Sequence, residues 1–145
     1  MHYHIYCKEK SIASCHRTAI AEFEKRLSAY CDTTLHVSST LIFSKEFTKN
    51  NHHFLFICSG PSTYSSEEFA VYLQKLQQSG NSTVHIVIGY TEEEFYNALY
   101  TICINQQPDC FSLTNSQLSI QTLTLLFFEQ LYRAYTILQG KIYHK

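Results

Sequence analysis

The sequence lacks the marks of several large protein classes. No apolar run reaches the roughly 18 residues of a membrane-spanning helix, so no helical span is expected. The opening Met1-His2-Tyr3-His4 has neither the basic nor the apolar region of a secretory signal, and a cytoplasmic location is expected. Six cysteines (Cys7, Cys15, Cys31, Cys58, Cys103, Cys110) never form a C-x-x-C pair. Most lie in apolar stretches, where reduced thiols pack like small hydrophobes. His2 and His4 share one strand face and His52-His53 are adjacent, yet neither pair has a carboxylate or cysteine at ligand spacing. No metal is expected. There is no Walker loop, no complete G-x-G-x-x-G and no G-x-S-x-G.

A basic excess is missing too. The net charge is −1 with histidine neutral, which neither suggests nor excludes RNA. A few cations on one face, or a folded target read by shape, suffice for an RNA-modifying enzyme. Internal repeats and linkers are absent. A chain of 145 residues, 45% hydrophobic, is expected to form one domain, 1–145, around one core.

Strand and helix signals alternate through the chain. Tyr3 to Cys7 reads as a strand. His16 to Tyr30 reads as a helix, with Ala19, Ile20, Phe23, Leu27 and Tyr30 at helical spacing. Leu35 to Val37 is a short strand. Ser38 to His53 is polar and irregular, a loop with a weak helical turn. Phe54 to Cys58 is a continuous apolar strand that Gly60-Pro61 ends. Ser65 and Glu68 form a capping-box signature for a helix to about Ser79, and Gly80 stops it. Val84 to Ile88 is another buried strand. Thr91 and Glu94 open a helix to about Ile104, Phe111 to Leu113 is a last strand, and a long helix starts near Ser119 to Thr122. Such alternation argues for an α/β fold with a mostly parallel sheet flanked by helices.

The C-terminal stretch is the most specific. Glu129-Gln130-Leu131-Tyr132-Arg133-Ala134 leads through a few helical residues to Gly140, and Tyr143-His144-Lys145 close the sequence. It resembles the C-terminus of the RlmH family, SPOUT-class methyltransferases of large-subunit ribosomal RNA. Two further stretches resemble that family: Ala19 to Leu27, and Ser65 to Ala70 followed by Val84 to Gly89. The resemblance implies a SPOUT α/β knot with a C-terminal trefoil knot, a homodimer, S-adenosylmethionine as cofactor and a pseudouridine of large-subunit rRNA as substrate.

The resemblance also assigns site residues. His144 is the general-base candidate, since an unperturbed imidazole has its pKa near working pH, or else a solvated terminal side chain. Tyr143 stacks on or orients the base, or packs on the last helix. Arg133 holds a phosphate, or pairs with Glu129 one turn earlier; Lys145 is the other RNA-binding candidate. Gly89, Tyr90, Leu113, Leu118 and Gln121 fall on the cofactor-binding loops.

Those loops depart from the family pattern. Where it has Ile-Gly-Gly-x-x-Gly, this chain reads Ile88-Gly89-Tyr90-Thr91-Glu92-Glu93. Glycine there permits positive φ and close backbone approach, so a tyrosine is expected to crowd the loop and weaken cofactor binding. The family's Pro-His pair falls on Ser119 and Ile120, and a later arginine on Thr124. Two readings stay open: a diverged working methyltransferase, and a relic that keeps fold, dimer and ribosome contact. A dimeric interaction protein without a ligand is a third, because Leu125, Leu126, Phe127, Phe128 and Leu131 make the last helix strongly apolar.

Overall fold

The computed structural model describes residues 1–44 and 52–141, with only the backbone considered at 59–62. The elements run β1 (His2–Cys7), α1 (Ser14–Leu27), β2 (Asp32–Val37), β3 (His52–Thr63), α2 (Ser66–Gln78), β4 (Thr83–Ile88), α3 (Glu92–Thr101), β5 (Asp109–Ser112) and α4 (Ile120–Leu138). The strands form one sheet in the order β2-β1-β4-β3-β5, and every pairing is parallel.

Both capping boxes form. The Ser65 side chain accepts from Glu68 N and the Glu68 carboxylate from Ser65 N; Thr91 and Glu94 do the same for α3. Boundaries shift where local signals are weak. β2 begins at Asp32 and α1 ends at Leu27. The Gly60-Pro61 signal does not end β3: the strand continues to Thr63 with a register irregularity, since Cys58 and Thr63 both align with Ser112.

The sheet carries a core on each face. On one face α1, α2 and α4 enclose Tyr3, Ile5, Ile20, Leu27, Phe69, Leu73, Val84, Ile86, Phe127, Phe128 and Leu131. α4 has no exposed residue from Ile120 to Leu138, and Phe127 and Phe128, adjacent in sequence, are both fully buried. Burial of each such ring contributes roughly 1.5–3 kcal/mol. On the other face α3 closes Phe95, Ala98 and Leu99 over Tyr6, Phe54, Phe56 and Val87. Leu41 and Phe43 join this second core from the stretch after β2, so the expected polar loop supplies two anchors; its remainder, 45–51, lies outside the described residues.

Candidate functional site

A parallel sheet offers a ligand crevice where successive crossovers leave for opposite faces, at the carboxyl ends of the strands. That condition holds between β1 and β4. They are neighbours, with Cys7 opposite Ile88, but α1 packs on the first face and α3 on the second. Lys8 N donates to Ile88 O at 3.1 Å, holding the two strand ends together.

Gly89 sits at this point with φ +83°, and a Cβ built on it would lie 2.7 Å from Cδ1 of Ile120, the first residue of α4. Glycine is therefore required here twice, for the left-handed backbone and for the approach of α4.

Tyr90 places its side chain in the second core. Its ring is 5% exposed, and its hydroxyl donates to Ser38 O at 2.6 Å. Burial pushes the phenol up to about 12. The side chain turns away from the glycine loop, so only its backbone is left to serve a ligand and the bulk does not crowd the loop. Tyr90→Gly is accordingly expected to lower stability by about 3–5 kcal/mol, the range for emptying an aromatic site, without improving cofactor affinity. Tyr90→Phe is expected to cost only about 1 kcal/mol, the lost hydrogen bond. Thermal melts and calorimetric cofactor titration check both; tighter binding by Tyr90→Gly would restore the crowding argument.

Of the other loop residues, Leu113 is partly buried against the first core and Leu118 is 39% exposed. Ser119 caps α4, its side chain accepting from Thr122 N at 3.2 Å. Gln121 is engaged away from the loop: Ala13 N donates to its Oε1 at 2.8 Å, and its Nε2 donates to Ser11 O at 3.5 Å. With a His16 Nε2–Thr122 Oγ1 contact at 3.2 Å, this ties the β1–α1 loop to the start of α4. Thr124, at the family's arginine position, is fully buried; its hydroxyl donates to Ile120 O at 2.8 Å and lies 3.3 Å from Cys7 Sγ. That position faces the core and has no use for a cation.

Lys8 and Glu94 form an ion pair at 2.8 Å beside the crevice, and the Lys8 hydrogen bond holds the Glu94 carboxyl below its ordinary range. Arg133 makes the pair with Glu129, at 2.7 Å from Nη2 and 3.0 Å from Nε. Gln130 Nε2 donates to Glu129 at 2.6 Å, and Ser66 Oγ donates to Gln130 at 2.8 Å. The structure thus brings Gly89, Tyr90 and the α4 start together, and places Arg133 in an ion pair along α4. Tyr143, His144 and Lys145 lie outside the described residues.

Among the described residues no group of three or more histidine, cysteine or carboxylate side chains is arranged to hold a metal. The cysteines are free thiols, but Cys15, Cys103 and Cys110 are exposed, so the expected hydrophobic packing applies to Cys7 and Cys31 and, in part, to Cys58 against the second core. Sequence reasoning missed one cluster: His2, His4, His36, His52 and His85 meet across four strands. Strand-by-strand periodicity contains its members but not the register that joins them. No helix among the described residues is long and apolar enough to cross a membrane.

A family model described as "Predicted SPOUT methyltransferase" matches residues 1–144. The chain belongs to the SPOUT methyltransferase family, in its RlmH group, and its parallel sheet flanked by helices is the SPOUT α/β fold, with the C-terminal knot that membership implies. It is 30% identical to "Ribosomal RNA large subunit methyltransferase H 1" of Thermoanaerobacter sp. (strain X514), over 100% of both chains. It is also 30% identical to "Ribosomal RNA large subunit methyltransferase H" of Clostridium botulinum (strain Loch Maree / Type A3), and 29% to that of Bacillus cereus (strain ATCC 10987 / NRS 248). Each of these alignments covers 89% of this chain and 90% of the relative.

Proposed function

We propose that this chain is an S-adenosylmethionine-dependent methyltransferase acting on ring nitrogen 3 of a pseudouridine in large-subunit ribosomal RNA, as a homodimer in which residues 1–145 are one catalytic domain. The observation that carries this reading is the left-handed Gly89 loop at the β1/β4 crossover switch, against the start of a helix that bears the family's Glu129 to Ala134 motif. The relatives' names support the rRNA substrate.

The residues fit the cofactor through backbone and apolar groups. Gly89 and Tyr90 offer main chain, and Leu113 and Leu118 offer apolar surface. Gln121 acts indirectly, by fixing the β1–α1 loop to α4. When bound, S-adenosylmethionine supplies a methyl group already activated on a sulfonium, so alignment with the acceptor does most of the work. His144 accepts the proton from the acceptor nitrogen. Tyr143 orients the base by stacking. Lys145 takes an RNA phosphate, and Arg133 adds a second cation from its ion pair with Glu129.

One observation favours the relic reading: Ile120 fills the space above Gly89 that a ligand-binding glycine would leave open. Calorimetric titration of the cofactor, followed by methyl transfer to ribosomes lacking the modification, separates the two. Binding and transfer are expected. No transfer, while another family member succeeds in parallel, would leave the relic.

A further inference from the structure

Five imidazoles meet on the α3 face of the sheet, away from the crevice. β1 contributes His2 and His4, β2 His36, β4 His85 and β3 His52. Parallel register sets His4 beside His85, and His85 beside Phe54. The rings stack: His2 on His4 at 4.2 Å, His4 on His36 and on His85 at 5.3 Å, His52 on His85 at 5.1 Å.

Their hydrogen bonds constrain their charge. His4 Nδ1 lies 3.0 Å from His36 Nε2, and His52 Nδ1 lies 2.9 Å from His85 Nε2. Such a contact is a hydrogen bond only when one nitrogen carries a hydrogen and the other does not. If both imidazoles of a pair were cationic, two N–H groups would face each other at that distance. The two pairs lie toward opposite edges of β1–β4, so they bring together two nitrogens each and no common metal centre.

We propose that this array is a pH-sensitive device: it must stay largely neutral for the strap Ser38–Ser44 to close on the α3 face, and its protonation loosens the glycine loop through Tyr90. The loop half rests on the cofactor reading above; the strap half does not.

The path is continuous. Tyr6 stacks on His36 at 4.6 Å, and its hydroxyl meets His85 Nδ1 at 3.3 Å. Phe43, from the strap, sets an edge against Tyr6 at 5.1 Å, Phe54 at 5.3 Å and His85 at 5.8 Å. The strap's Ser38 carbonyl takes the Tyr90 hydrogen bond, and Tyr90 follows Gly89.

Among the described residues, the packed elements present these titratable and charged groups. β1 presents His2, His4 and Tyr6, β2 His36 and the exposed Asp32 at its start, β3 His52 and the Cys58 thiol, and β4 His85. α3 and its entry present Tyr90 and the first-turn carboxylates Glu92, Glu93 and Glu94, of which Glu94 is held by Lys8; the strap has no charged residue. Burial first, then neighbouring imidazoles, lowers His85 to about 2 and His4 to about 4; burial lowers His36 and His52 as well. Between the ordinary value near 6.5 and these values, the opened form binds protons that the closed form refuses. Closure is therefore full at neutral pH and weakens as pH falls.

The test follows imidazole resonances and amide hydrogen exchange of the full-length chain from pH 7.5 to 4.5. Exchange at Leu41, Phe43 and Tyr90, corrected for intrinsic rates, is expected to rise at least about tenfold while first-face amides such as Ile86 hold. His85→Phe, which removes the central imidazole, should flatten that dependence. Should it not fold, the more exposed His36→Phe should flatten it in part. Ordinary titration of His4, His36, His52 and His85, exchange that does not change with pH, or a rise equal on both faces would overturn the device. A cofactor titration at pH 7.5 and 5.5 is expected to show weaker binding at the lower pH. Equal affinity would overturn the loop half, and no binding at either pH would count against the cofactor reading while the exchange result still decides the strap.

Discussion

Deleting Tyr143, His144 and Lys145 is expected to abolish methyl transfer to undermodified ribosomal subunits while moving the melting temperature by no more than about 2 °C. The deletion removes the proposed base, the stacking phenol and a phosphate ligand together. General-base loss alone is worth roughly 10²–10⁴ in rate. Every buried core side chain among the described residues stays in place. The substrate matters: a target read by RNA shape calls for whole subunits and not a short oligonucleotide. Full activity in the truncated chain would remove His144 from the mechanism. A large fall in stability would make the tail structural.

Alanine at Gly89 is expected to lower stability by about 2–4 kcal/mol. A left-handed backbone costs an L-residue roughly 1–2 kcal/mol, and overpacking against Ile120 adds a comparable amount. In a chain of this size that is about 5–15 °C in melting temperature. Combining Gly89→Ala with Ile120→Ala should return the steric part and leave the backbone part, so the double variant should be milder than the sum of the single ones by at least about 1 kcal/mol. Strictly additive effects would mean that Ile120 already has room to move aside. The same cycle reads the site: if Ile120 covers the ligand position, Ile120→Ala alone should tighten cofactor binding.

The order and kind of the elements are legible in the sequence because they rest on local physics. Ser65/Glu68 and Thr91/Glu94 announce helix starts through contacts three residues apart, and apolar runs such as Val84 to Ile88 announce strands buried on both faces. What depends on tertiary placement is not legible. Leu41 and Phe43 belong to a three-residue apolar run in a polar stretch, too short for periodicity to mark which side chains are core, and Ile42 between them is 72% exposed. Tyr90 follows a glycine of positive φ and packs in the second core, a placement that no local pattern announces. Gln121 falls on the expected loop, but its amide closes on backbone 108 and 110 residues away in sequence. The histidine array depends on strand register, a relation between segments that composition does not encode. The site is legible mainly through family motifs, and its most specific part, the tail, is read from those motifs alone.

The strand order also sets a schedule for folding. β1 is made first, yet it lies between β2 and β4, and Tyr6 meets His85 across 79 residues. Tyr3 waits longer still, since its hydroxyl contacts that of Tyr135 at a separation of 132 residues. Such distant pairings make a chain slow to fold. During synthesis at about 5–20 residues per second, the β4 edge of β1 stays uncovered for several seconds, and the first-face core waits longer for α4. The nascent chain therefore carries an unpaired apolar edge through most of its own translation, and chaperone depletion should harm its yield more than the stability of the finished fold would suggest.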